Sequence, residues 1–97
     1  MTRYALLVVL LVVGSCGGGE ETELARARSW RASAILVAEH WLSGEVPSAY
    51  ARQALKKAAD ELAQGPISGA ARPVAELGVA VAREDSAAAR RILDGLR

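Results

Sequence analysis

The chain has 97 residues, 52% of them hydrophobic, enough for one small domain and not for two. Its net charge of +1, from 12 Lys and Arg against 11 Asp and Glu, provides no field that would favour nucleic acid, and none is expected as a partner. Aromatic residues are 4% and Phe is absent, so a core must be built from Ala, Leu, Val and Ile around Trp30 and Trp41. A single cysteine, Cys16, excludes an intramolecular disulfide and a cysteine-based zinc cluster.

The N-terminus reads as a targeting segment. Arg3 supplies a positive charge, Tyr4 to Val13 is an unbroken apolar run of ten, and Gly14-Ser15-Cys16 follows. A helix needs about 20 apolar residues to cross a bilayer core, so this run suits the apolar centre of a cleavable signal better than a permanent span. Val13-Gly14-Ser15-Cys16 resembles the lipobox of bacterial lipoproteins: an aliphatic residue, two small ones, then cysteine. That resemblance implies a diacylglyceryl group on the Cys16 sulfur, cleavage between Ser15 and Cys16, and further acylation of the new N-terminus, palmitate being a usual acyl chain of such anchors. Gly17-Gly18-Gly19 then makes a tether. The expected organisation is a signal peptide over 1–15, lipidated Cys16 with a flexible tether over 16–21, and a helical domain over 22–97. The expected location is the bacterial cell envelope, held by lipid on its periplasmic or other extracytoplasmic face.

Beyond the tether, apolar residues recur at helical spacing between Gly and Pro punctuation, which predicts an all-α fold. The first helix is expected from about Thr22, a candidate N-cap, to Ser43, with Glu20, Glu21 and Glu23 complementing the positive end of its dipole. Ala27, Trp30, Ala34, Val37 and Trp41 follow a 3, 4, 3, 4 spacing on one stripe. Ile35, Leu36 and Leu42 widen the apolar surface, so this helix calls for partners on two sides. Gly44 marks its end.

A second helix is expected to begin at Pro47, whose fixed φ suits a first helical position, and to stop before Gly65-Pro66. Ala51, Leu55, Ala58 and Leu62 form its inward stripe, and Lys56–Asp60 and Lys57–Glu61 are i, i+4 pairs on the wet face. After Gly65-Pro66-Ile67-Ser68-Gly69, a third stretch runs from about Pro73 to Leu93 with Val74, Leu77, Val81, Ala88 and Ile92 on one face. Asp85 is a possible N-cap dividing it, but one continuous helix is the preferred reading. The sum is a small antiparallel three-helix bundle, near the size at which one core supplies only ~3 to 5 kcal/mol, so self-association or a partner is expected.

The residues offer little chemistry. His40 is the only histidine, which prevents a two-histidine metal site or a histidine acid–base pair within one chain, and it reads as an exposed or rim residue. Ser29, Ser33, Ser43, Ser48, Ser68 and Ser86 lie in no nucleophile-elbow pattern. Gly17 to Gly19 follows no strand and lacks the Lys-Ser or Lys-Thr of a phosphate loop. No catalytic residue, metal or cofactor is expected. Arg26, Arg28 and Arg31, beside Glu20, Glu21 and Glu23, read as a solvated helix start. Trp30 and Trp41, three turns apart on one face with Val37 between them, are read first as the large core residues of an Ala-rich bundle. Their second reading is a face for an apolar ligand or partner helix. The functional expectation is a non-enzymatic, lipid-anchored envelope protein that works through protein contacts. Its alternative is a binding module for a lipid or other apolar molecule held between helices near Trp30 and Trp41.

Overall fold

The computed structural model describes residues 19–97, and side-chain burial from residue 21 onward. The signal peptide Met1–Ser15, Cys16 and Gly17–Gly18 lie outside the described residues. The described chain is all-helical: α1 spans Gly19–Leu42, α2 Ser48–Ala63, α3 Ala71–Ala82 and α4 Ser86–Leu96, with a 3-10 turn over Ser68–Ala70 leading into α3. No strand occurs among these residues.

α1 begins three residues before the expected Thr22, so Gly19, Glu20 and Glu21 belong to the helix rather than to the tether. Acidic side chains in its first turns oppose the positive end of the helix dipole and support that extension. At its other end Gly44 adopts φ +80°. The Glu45 N–H donates to the His40 carbonyl at 2.9 Å and the Gly44 N–H to the Trp41 carbonyl at 3.0 Å. This pair of bonds is a Schellman motif and satisfies carbonyls that the helix end would leave open. Pro47 sits just outside α2 with φ −68° and ψ 150°, and its carbonyl accepts from the Ala51 N–H at 3.0 Å.

The third stretch is two helices, so the bundle has four helices where three were expected. The physical reason lies in Arg83-Glu84-Asp85. The Asp85 N–H donates to the Ala80 carbonyl at 2.8 Å and the Glu84 N–H to the Val81 carbonyl at 3.0 Å, a second Schellman motif that ends α3. Glu84 takes the left-handed position, φ 53°, usually reserved for glycine. The Asp85 carboxylate then accepts from the Ala88 N–H at 3.1 Å as the N-cap of α4. With both ends satisfied, the break leaves few backbone groups unpaired.

Packing follows the α2 stripe. Ala51, Leu55, Ala58 and Leu62 are all buried, as their spacing predicts, and Ala59 joins them. α1 and α2 form an antiparallel hairpin. The Trp41 indole N–H donates to Ser48 Oγ at 2.9 Å at one end, and Ala27 lies against Gly65 at the other, 3.6 Å from where a Cβ would stand. α3 packs most extensively on α2, with Gly78 bringing its backbone close to Leu55. α4 returns beside the second half of α1, where Arg31 donates to the Leu96 carbonyl and Arg97 reaches Glu39 at 3.0 Å.

Eight of the fifteen buried core residues are alanine, so helices approach closely while little apolar volume is enclosed. α1 contributes only Ala27, Ala34 and Ala38 to that set; Trp30, Val37 and Trp41 are half-buried and pack against its edge. The tryptophans are therefore flanking residues rather than the centre of the core. Val74, Leu77 and Val81 are buried as expected, but α4 buries Ala89, Leu93 and Leu96, leaving the expected Ala88 and Ile92 half-exposed.

The two left-handed turn positions make opposite predictions. Glu84→Gly should raise the unfolding free energy by about 1 kcal/mol by relieving the left-handed penalty. Gly44→Ala should lower it by about the same. A Cβ at position 44 meets nothing within 4 Å, so that cost is backbone alone. Urea titrations of both variants measure the difference, and equal midpoints would contradict the assignment.

Candidate functional site

α1 and α2 lie side by side along their length, and where alanines bring them together their larger side chains are pushed to the margin. On one margin this leaves a groove of about 460 Å³, walled by Trp30 and Val37 of α1 and by Tyr50 and Ala54 of α2. Gln53 and Lys57 bring an amide and an amine to it, and Ser33 a hydroxyl. Lys57 also faces Glu61 at 3.7 Å, one turn along α2. Of the other expected pair on this helix, Lys56 and Asp60, no ion pair forms among the described residues, although both border a second groove.

Of the three residues singled out in the sequence, the fold brings Trp30 and Val37 to the α1–α2 groove and takes Trp41 out of it. Trp41 instead spends its one polar atom on Ser48. That bond pins the end of α1 to the start of α2, across the Ser43–Pro47 turn. The groove residue that sequence reasoning passed over is Tyr50, which is 58% exposed. Its signal was available: a tyrosine beside the inward position Ala51, on a helix whose other outward residues are mostly charged or small.

The second groove, of about 350 Å³, lies between α2 and α3 on a floor of Ala59, Ala75, Gly78 and Ala82. Arg52 and Lys56 stand at its rim, with Val79 half-exposed beside them. Nothing in the sequence pattern pointed to it, because its floor is formed by small residues from two helices.

Several charged groups find partners at helix ends. His40 Nδ1 meets Glu45 Oε2 across the end of α1, while neighbouring Glu39 turns away to Arg97. This is the divergence that about 100° per residue imposes on adjacent helical positions. Arg31, expected to be solvated like Arg26 and Arg28, is half-buried, and its guanidinium reaches the Leu96 carbonyl near the negative end of α4. Arg26 and Arg28 are exposed. Among the described residues no polar side chain is buried, no group of three His, Cys, Asp or Glu is placed to hold a metal ion, and no helix is long and apolar enough to cross a membrane. What the α1–α2 groove provides is apolar wall with hydrogen-bonding groups near its edge, suited to holding an apolar body.

Comparison with known proteins finds no family model, no curated protein and no solved structure that matches the chain.

The Trp41–Ser48 bond makes a prediction for this end of the hairpin. Ser48→Ala should cost about 1 kcal/mol of stability, read by urea titration. A Trp41→Phe variant should lose a similar amount for the bond, and adding Ser48→Ala to it should then cost little more. Two full and additive losses would show that the bond is not formed.

Proposed function

We propose that this protein is a lipid-anchored helical component of a bacterial cell envelope, held to the membrane through Cys16 and acting through protein contacts as a structural element or accessory subunit. The observation that carries the reading is the order of features at the N-terminus: Arg3, the apolar run Tyr4–Val13, the lipobox-like Val13-Gly14-Ser15-Cys16, then two glycines before α1 begins at Gly19. Each feature has a physical task. The apolar run engages the export machinery, small residues leave a protease access to the backbone, and the thiol is the nucleophile that takes lipid. Burying an acyl chain contributes about 0.8 kcal/mol per CH₂, and two chains hold stably where one holds marginally.

A second reading has its own observation. The α1–α2 groove, with Trp30, Val37 and Tyr50 on its walls, suits a lipid tail or other apolar molecule. Native mass spectrometry after gentle extraction separates the two readings, since a co-purifying small molecule favours the binding module.

Replacing Cys16 tests the anchor. In cells fed labelled palmitate, the parent protein should carry label on a chain that begins at Cys16, whereas Cys16→Ala should carry none and keep its first fifteen residues uncut. A Cys16→Ala protein that fractionates wholly with membranes, with the first fifteen residues intact in both it and the parent, would show that the apolar run itself is the anchor.

A further inference from the structure

α1 has a second face. Thr22, Ala25, Ser29, Ala32 and Leu36 are all exposed, and at about 100° per residue they form one stripe directly opposite the buried Ala27, Ala34 and Ala38. Their 3, 4, 3, 4 spacing is that of a coiled-coil seam. Leu36, the largest of them, is 55% exposed. α2 and α4 pack elsewhere on α1, so this stripe has no partner among the described residues.

We propose that this face pairs with the same face of a second copy of the chain, the two α1 helices lying parallel and in register. The inference rests on the lipid-anchored reading, because the anchor supplies the alignment. Only Gly17 and Gly18 separate Cys16 from the start of α1. At about 3.3 to 3.6 Å per residue, they keep each helix start within about 10 Å of the anchored sulfur. Two copies on one membrane therefore begin their α1 helices at a similar height above it.

Charge then selects the same register. In a parallel pair, the residue flanking one side of the seam lies beside the residue five positions later on the other helix. Here that sets Glu21 of one copy against Arg26 of the other, and the two-fold axis repeats the contact. Both residues are exposed and flank the stripe on opposite sides. Ala25, Ser29 and Ala32 let the backbones come close, and Leu36 closes the seam. The strip is about 20 Å long and about 10 Å wide, small beside the roughly 800 Å² per partner of a stable free complex. Pairing of this size depends on the high effective concentration that a shared surface provides.

The test uses the full chain, membrane-bound, with single added cysteines. Ser29→Cys lies in the seam and Lys56→Cys on the far side of the hairpin, both at exposed positions. Mild oxidation should give disulfide-linked dimers from Ser29→Cys at least about tenfold more than from Lys56→Cys. In the Ser29→Cys background, Glu21→Arg should reduce dimer yield about fivefold by turning two attractions into repulsions, and adding Arg26→Glu should restore it, a rescue that a mere weakening of the helix start would not give. Equal yields from the two cysteines, no dimer from Ser29→Cys, or no rescue would overturn the pairing. A parent chain that takes up no labelled palmitate and keeps its first fifteen residues would overturn the lipid reading instead, while the contrast between positions 29 and 56 would still decide whether α1 pairs.

Discussion

The fold depends on the apolar row of α2. Ala51, Leu55, Ala58, Ala59 and Leu62 face inward along its whole length, α1 packs on one side and α3 on the other, and the 3-10 turn folds back against it. Each large buried side chain contributes about 1.5 to 3 kcal/mol. Such residues are few: Leu55, Leu62, Val74, Leu77, Val81 and Leu93 are the largest that are fully buried. Alanine supplies close approach rather than volume. The helices lie tightly together, but the space they share is too narrow to take the tryptophans.

That narrowness shapes the surface. Side chains excluded from the seam line its edges, so Trp30 and Val37 become groove walls and Trp41 becomes a latch through its indole N–H. The outer face of α1 is left with a run of small residues and Leu36. The charges of α1 are spread around the helix rather than gathered on one side, so its outward face carries small residues opposite the buried alanines.

Arg83-Glu84-Asp85 shows how a few backbone hydrogen bonds set the phase of a helix. Had the chain continued as one helix, Ala88 and Ile92 would have followed Val74, Leu77 and Val81 inward. Instead the Schellman turn and the Asp85 cap restart the helix about one residue out of phase, and Ala89, Leu93 and Leu96 point in. The restart also brings α4 back beside α1, where Arg31 and Glu39 meet its last residues. A non-glycine residue at φ 53° is the local cost of that turn.

By itself, the sequence determined the all-helical class, the break points at Gly44–Pro47 and Gly65–Pro66, and the inward row of α2, because apolar spacing and the backbone limits of Gly and Pro are local properties. It also contained the Asp85 cap, yet periodicity alone could not choose between a capped break and an interruption of polar residues in one helix; the choice depended on whether α4 had a surface to return to. Tertiary structure alone decided that alanines rather than tryptophans fill the α1 seam, that Tyr50 joins Trp30 while Trp41 does not, and that Arg31 leaves solvent for the end of α4. Those outcomes turn on the distance between helices, which no residue sets on its own.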